Sequence, residues 1–215
     1  MQIPFSNFWK GAGVMGDKML QYRGLTFAAW GYFFLNFGFS IDGIQLLPEF
    51  VGYLLLLFAI GALFKECRNL LLLRPLCIVL AVVSTLNWVL ALASRELGGH
   101  IMILDILVAV ARLYFHFQFL TDIAALAKTS PKRGEVLSIR LRRCRTICTM
   151  LNTAVLAAAL AAGKQGKIYY GAGGYTLILI SFVKFVTTCI IILTLFELRG
   201  HFKRASGEEG NRNNT

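Results

Sequence analysis

Long apolar segments alternate along this chain with short polar segments that hold most of its charge. Six apolar segments come near the length of a membrane-spanning helix, at about 25–41, 46–64, 76–94, 100–120, 146–162 and 175–196. A hydrocarbon core about 30 Å thick requires about 20 helical residues. Because backbone groups in hydrocarbon must bond internally, we expect each segment to be a helix. The pattern predicts an all-α fold, a polytopic transmembrane bundle of six helices.

The composition supports a membrane environment. Of the 215 residues, 57% are hydrophobic and 15% are charged, and the mean hydropathy is +0.65. An ordinary soluble domain has about 45–50% apolar and about 25% charged residues. The chain is therefore too apolar and too poor in charge for an ordinary soluble domain.

Basic residues are distributed unevenly among the loops that six spans would create. Of the 22 Lys and Arg residues, 17 fall in the terminal segments and in the second and fourth loops. The positive-inside rule then places both termini in the cytoplasm of a multi-pass plasma-membrane protein. This topology accounts for the net charge of +11. Since no nucleic-acid-reading motif accompanies the charge, we expect no nucleic acid among the partners.

The two ends of the chain differ in composition from the apolar part between them. Segment 1–24 mixes aromatic and basic residues, and we expect it to lie at the cytoplasmic face of the membrane. Residues 25–198 form the predicted transmembrane domain, which includes a basic cytoplasmic loop at 128–145. The cytoplasmic tail at 199–215 is expected to be disordered, and its end is almost free of apolar residues.

The first two apolar segments are predicted to form a tight outer hairpin. Asp42 and Gly43 are typical turn residues. Pro48 fits the first turn of the second helix, where the positive end of the helix dipole also favours Glu49.

The start of the second segment carries a motif, LPEFVGY, at residues 47–53. It resembles the LPDF-x-GY or LPEF-x-GY signature of small, uncharacterised six-span membrane proteins of Gram-positive bacteria. The likeness extends from Leu35 to about Phe64. The resemblance implies a six-span fold and no known activity.

The fourth apolar segment contains three polar residues on one helical stripe. Asp105, Arg112 and His116 are separated by seven and four residues, which places them on one face. An ionised residue at mid-bilayer costs at least about 2.5 kcal/mol, so this face should point into the bundle. The spacing allows a direct or water-bridged ion pair between Asp105 and Arg112.

We therefore hypothesise a polar interior that binds a ligand or joins the helices, built from Asn36, Asn87, Asp105, Arg112, His116, Ser181 and Lys184. Two cations against one acid leave an excess of positive charge. An anionic solute, a lipid headgroup or deprotonation of Lys184 would relieve that excess. Alternatively, these groups only form hydrogen bonds between helices and fix their register, at an average below about 1 kcal/mol each.

A second cluster of basic residues precedes the fifth apolar segment and consists of Arg140, Arg142, Arg143 and Arg145. Near an anionic membrane surface, each basic residue contributes about 1 kcal/mol of attraction to lipid headgroups. The alternatives are simple anchoring of an inner loop and a docking surface for a protein partner.

The sequence contains no recognisable catalytic motif. HExxH, GxSxG, a Gly-rich phosphate loop, paired carboxylates and a four-ligand zinc set are all missing. We expect a protein that is not an enzyme and that holds no metal or cofactor. The favoured function is a small solute-binding or transport subunit with a buried cationic site. The alternative is a membrane scaffold or sensor accessory that engages a partner or anionic lipid through its basic loop.

Overall fold

A computed structural model of the protein describes residues 17–37, 40–41, 44–45, 48–64, 69–92, 102–128, 134–162 and 172–212. Within these residues the fold consists of six helices and one two-stranded sheet. The helices are α1 (Asp17–Asn36), α2 (Glu49–Leu63), α3 (Leu70–Leu92), α4 (Met102–Lys128), α5 (Gly134–Ala162) and α6 (Ala172–Arg212). The strands are β1 (Ser40–Ile41) and β2 (Ile44–Gln45), which pair antiparallel.

The helices follow one another around a closed bundle. Each helix packs against the next one in the chain, and α6 returns to pack against α1. The prediction of an all-helical fold with six helices is thus confirmed. The end of the bundle that carries the β1–β2 sheet is called the hairpin end below.

Three of the six helices are long and apolar enough to cross a membrane, over Leu70–Leu90, Ile106–Lys128 and Ile178–Lys203. Helix α2 is also apolar but has only 15 residues. Helices α1 and α5 begin with segments that contain several charged residues, which lowers their hydropathy. The structure therefore has apolar helices of the kind found in membrane proteins.

The bounds of the first predicted helix were wrong. Helix α1 starts at Asp17, within the segment predicted to lie at the membrane surface, and ends at Asn36 instead of residue 41. The chain beyond α1 instead forms the β1–β2 pairing, in which Ser40 opposes Gln45 and Ile41 opposes Ile44. Residues 1–16 and the predicted turn at Asp42 and Gly43 lie outside the described residues.

Two polar segments are helical where the sequence predicted a loop and a disordered tail. Helix α5 already starts at Gly134, so most of the basic segment at 128–145 is helical. Helix α6 continues to Arg212, into the predicted disordered tail. Both are extensions of long helices, and extension adds one hydrogen bond per residue without the cost of a new nucleus.

Glycines allow α1 and α2 to pack with their backbones in close approach. A Cβ atom added to Gly52 would lie 2.9 Å from the carbonyl oxygen of Gly31 and 2.7 Å from Cγ of Leu35. A Cβ atom added to Gly31 would lie 3.0 Å from the carbonyl oxygen of Gly52. Only residues without a side chain fit at this crossing, as in the small-residue interfaces of membrane helices.

Four buried aromatic side chains connect this helix pair to α4 at the centre of the bundle. The ring centroids of Tyr53 and Phe115 are 6.0 Å apart, and those of Tyr32 and Phe119 are 5.8 Å apart. Phe115 and Phe119 stack on each other at 5.9 Å. We call these four residues the aromatic cluster. It fills the space between helices whose backbones do not approach closely.

The crossing of α1 and α2 can be tested by adding a methyl group. We expect Gly52→Ala to lower the free energy of unfolding by about 1–3 kcal/mol, because the methyl group overpacks the interface. Gly200→Ala is the matched control, since a Cβ atom there meets nothing within 4 Å. The control should raise stability by about 0.5–1 kcal/mol. Equal effects of both substitutions, measured by unfolding in detergent, would contradict the close crossing.

Candidate functional site

A cavity of about 350 Å³ lies beside the aromatic cluster, between α1, α2, α4, α5 and α6. Its residues recur at helical spacing, so each helix contributes one face. On α4 these are Ala109, Arg112, Leu113, His116 and Leu120; on α5, Cys148, Asn152, Val155 and Leu156; on α6, Lys184, Thr188 and Ile191; and on α1 and α2, Tyr32, Leu35, Asn36, Glu49 and Tyr53. Polar and charged groups thus share one space with many apolar side chains.

An ion pair connects α2 and α4 at the wall of this cavity. Nη2 of Arg112 lies 2.7 Å from Oε2 of Glu49, and the two side chains are 35% and 27% exposed. Pro48 has φ −71° and leads the chain into α2, so Glu49 occupies the first turn of that helix. A carboxylate in this position is stabilised by the helix dipole as well as by the arginine.

The partner that the structure shows for Arg112 was not expected. The sequence spacing indicated Asp105, two turns away on the same helical stripe, whereas the described contact of Arg112 is with Glu49. Glu49 was expected only to lie in the first turn of the second helix. The α1–α2 hairpin ends at the level of Arg112, which lies ten residues, or roughly 15 Å, into α4. The backbone of Asp105 belongs to α4, and its side chain lies outside the described residues.

Lys184 is the second cation of the cavity, and it differs from Arg112 in having no partner among the described residues. Within the described part of the chain its ammonium group makes no hydrogen bond and no ion pair. Nε of Arg112 is also buried without a hydrogen-bond partner there. Since Glu49 balances Arg112, the charged groups of the described lining sum to one positive charge.

His116 forms a structural contact at the edge of the aromatic cluster. Its Nδ1 atom lies 3.1 Å from the hydroxyl oxygen of Tyr32, and the two ring centroids are 5.4 Å apart. The ring also packs edge-to-face on Phe115, with centroids 5.8 Å apart. The predicted stripe of Arg112 and His116 does face the interior of the bundle, and the tyrosine satisfies one ring nitrogen.

The other predicted residues divide between the cavity and the outer surface. Asn36 lines the cavity, and its side-chain amide donates to the backbone carbonyl of Tyr32 at 2.9 Å. Asn87 and Ser181 are exposed and do not contribute to the described lining. Ser181 lies three residues before Lys184, about 60° around the helix, and the cavity lies on the other side, towards Thr188.

Sequence reasoning missed several polar residues of the cavity, among them Glu49, Asn152 and Thr188. Glu49 was recognisable as an acid in the first turn of a helix, but this observation indicated only a favourable contact with the helix dipole and not a place in the cavity. Asn152 had a signal as well, because it is a polar residue in the Ala-rich segment of α5. It lies one turn after Cys148 on the face that lines the cavity.

The four arginines of the basic cluster before the fifth apolar segment differ in their contacts. Nη1 of Arg140 contacts Oε2 of Glu197 at 3.0 Å, and Nη1 of Arg145 donates to Oγ1 of Thr121 at 2.7 Å. These two arginines therefore join helices. Arg142 and Arg143 are exposed.

No metal site is evident in the described ranges of the chain, where no three His, Cys, Asp or Glu side chains come together. The arrangement at the cavity instead favours anion binding. An ammonium group without a partner next to two amides and a hydroxyl group offers several hydrogen-bond donors to a negatively charged ligand.

The energy of the ion pair can be measured with a double-mutant cycle of Glu49→Gln and Arg112→Gln. Either single substitution leaves one charge without its partner, so we expect the pair to show a coupling energy of about 0.5–3 kcal/mol. Partial solvent screening should keep the value in the lower half of that range. The control cycle of Arg140→Gln and Glu197→Gln, a more exposed pair, should give below about 1 kcal/mol. Additive single effects at Glu49 and Arg112 would contradict the pairing.

Comparison of this chain with models of known protein families, with curated proteins and with solved structures found no match. The chemistry of the cavity is thus the basis on which a function can be proposed.

Proposed function

We propose that this protein is a multi-pass protein of the plasma membrane that binds a small anionic solute in its cavity, as a solute-binding or transport subunit. One observation carries the proposal. Lys184 lines a cavity inside the bundle without a partner among the described residues. An uncompensated charge between apolar helices is costly, and an anionic ligand would remove that cost.

The neighbouring residues support the same reading. Arg112 is already balanced by Glu49 at 2.7 Å, so the pair provides polarity without adding net charge. Asn152 adds an amide on the neighbouring helix α5, and Thr188 adds a hydroxyl group on α6, the helix that also carries Lys184. These groups can hydrogen-bond to a ligand oxygen while the ammonium group neutralises its charge.

The proposed topology has six spans with both termini in the cytoplasm. Three helices have the length and hydropathy of a span. Helices α1, α2 and α5 pack beside them in the same closed bundle, which supports a membrane position for all six. Helix α2 has 15 residues and is only about 22 Å long, so the proposed bundle is indented at its hairpin end. Such an indentation supports access to the cavity from outside the cell.

A second candidate function is that of a membrane scaffold or sensor accessory. It is favoured by Arg142 and Arg143, which are exposed on α5 at the end of the bundle opposite the hairpin. In the proposed topology they face the cytoplasm, where they would contact anionic lipid headgroups or a protein partner. The two functions are compatible, because the surfaces are separate.

Reporter fusions test the topology. We expect alkaline phosphatase to be inactive when fused at the C-terminus and active when inserted between Lys164 and Lys167, because that loop should lie outside the cell. A fluorescent protein at the same two positions should give the opposite pattern. A control insertion at Lys132 should behave like the C-terminal fusion. Phosphatase activity at the C-terminus would contradict the six-span arrangement.

Substitution of the unpaired lysine tests the binding site. We expect Lys184→Met to abolish the thermal stabilisation of the purified protein by small anions, with hexanoate, adipate and inorganic phosphate as probes. Lys128→Met removes the same charge from an exposed position at the end of α4 and should leave any stabilisation unchanged. Stabilisation that is equal in wild type and Lys184→Met, or that no probe produces, would count against the proposed function.

A further inference from the structure

We infer that the cavity selects an amphipathic organic monoanion, a small carboxylate whose charged end meets Lys184 and whose apolar body lies against the aliphatic wall. This inference rests on the proposed function and names the chemical class of its ligand. It follows from how the polar and apolar side chains are divided around the cavity, from the net charge and from the size of the space.

One group of polar side chains in the cavity lies on the adjacent helices α5 and α6. Lys184 and Thr188 are four residues apart on one face of α6, and Thr188 is buried. Asn152 lies one turn after Cys148 on the face of α5 that lines the cavity. An ammonium group, a hydroxyl group and an amide on two adjacent helices therefore line the same cavity. A carboxylate has two oxygens with about four acceptor positions, which matches this group of donors.

An aliphatic part of the wall is contributed by all three long helices around the cavity: Leu113, Leu120, Val155, Leu156 and Ile191. These side chains offer no hydrogen bonds to a ligand. An ion that is polar over its whole surface would lose its hydration against this wall without compensation. A ligand with an apolar body instead gains from the burial of apolar surface.

The charges around the cavity favour one negative charge over two. Arg112 is engaged by Glu49, so Lys184 supplies the net positive charge of the described lining. The described lining offers no second unpaired cation to a second carboxylate, which would lie against the aliphatic wall or near the carboxylate of Glu49. Both environments disfavour an anion, the first through desolvation and the second through repulsion of like charges.

The volume limits the size of the ligand. The cavity has about 350 Å³, which lies near the lower end of the range of about 300–1,000 Å³ for small-molecule sites. A short-chain or single-ring carboxylate fits this space, whereas a peptide or a whole phospholipid does not.

The inference is tested by calorimetric titration of the full-length protein in detergent with four probes. Hexanoate has the proposed charge and body, hexanamide has the same body without the charge, adipate has a charge at both ends, and inorganic phosphate has no apolar body. We expect hexanoate to bind about 10- to 100-fold more tightly than each of the other three, because it alone satisfies the ammonium group without burying a second charge.

Two variants separate the contributions of the charge and the wall. Lys184→Met should reduce the affinity for hexanoate about 10- to 100-fold and bring it close to that of hexanamide. Leu156→Ser should weaken hexanoate and leave the weaker binding of phosphate unchanged, since it alters only the aliphatic wall. Because Leu156→Ser retains every charge of the cavity, the test remains decisive even if Lys184→Met does not fold.

The outcomes distinguish this inference from the proposed function. Binding of phosphate or adipate at least as tight as that of hexanoate, and lost in Lys184→Met, would overturn the ligand class and leave an anion site. Equal affinity for hexanoate and hexanamide would overturn the role of the charge. If none of the four probes binds, both the selected ligand class and the proposed anion site are overturned.

Discussion

The contact between Glu49 and Arg112 is the interaction on which the arrangement of the bundle depends. Arg112 lies within a helix apolar enough to cross a membrane, where an unpaired guanidinium would be strongly unfavourable. Glu49 neutralises it from the first turn of α2 at 2.7 Å. Because the two residues lie on different helices, this requirement fixes the height of α2 relative to α4. It also leaves Lys184 as the cation that nothing in the described lining balances.

The position of Glu49 is in turn set by the contact between α1 and α2. Gly31 and Gly52 let the two backbones touch, and a side chain on either residue would separate them. Gly52 lies three residues after Glu49, so the crossing and the ion pair belong to the same end of α2. The aromatic cluster then spans the remaining distance to α4. The cavity is the space left between this short, tightly packed pair and the longer helices α4, α5 and α6.

Periodicity predicted the helices well because each apolar segment is long and its pattern local. It also predicted an inward face of α4 for Arg112 and His116, and both residues line the cavity. The sequence did not predict the positions of the helices relative to one another along the bundle axis. Asp105 was a reasonable partner for Arg112 by spacing alone, whereas Glu49 is 63 residues away in the chain and became a candidate only once α2 was placed. The same limit explains Ser181 and Asn87, which are exposed, because their polar character did not specify which side of the helix faces the cavity.

The two cations of the cavity therefore have different physical roles, although sequence alone treated them as equivalent. A guanidinium offers a planar, five-donor group that suits a fixed contact with a carboxylate, and Arg112 makes such a contact. A lysine ammonium is a compact charge on a flexible stem and carries less geometric constraint. A guanidinium therefore suits a permanent internal ion pair, and an ammonium group suits a site that binds and releases its ligand. A role for Lys184 in packing alone would require a bond to an acceptor on a neighbouring helix, and its ammonium group makes none among the described residues. The division between a paired arginine and an unpaired lysine is thus the feature that favours a ligand site over simple helix packing.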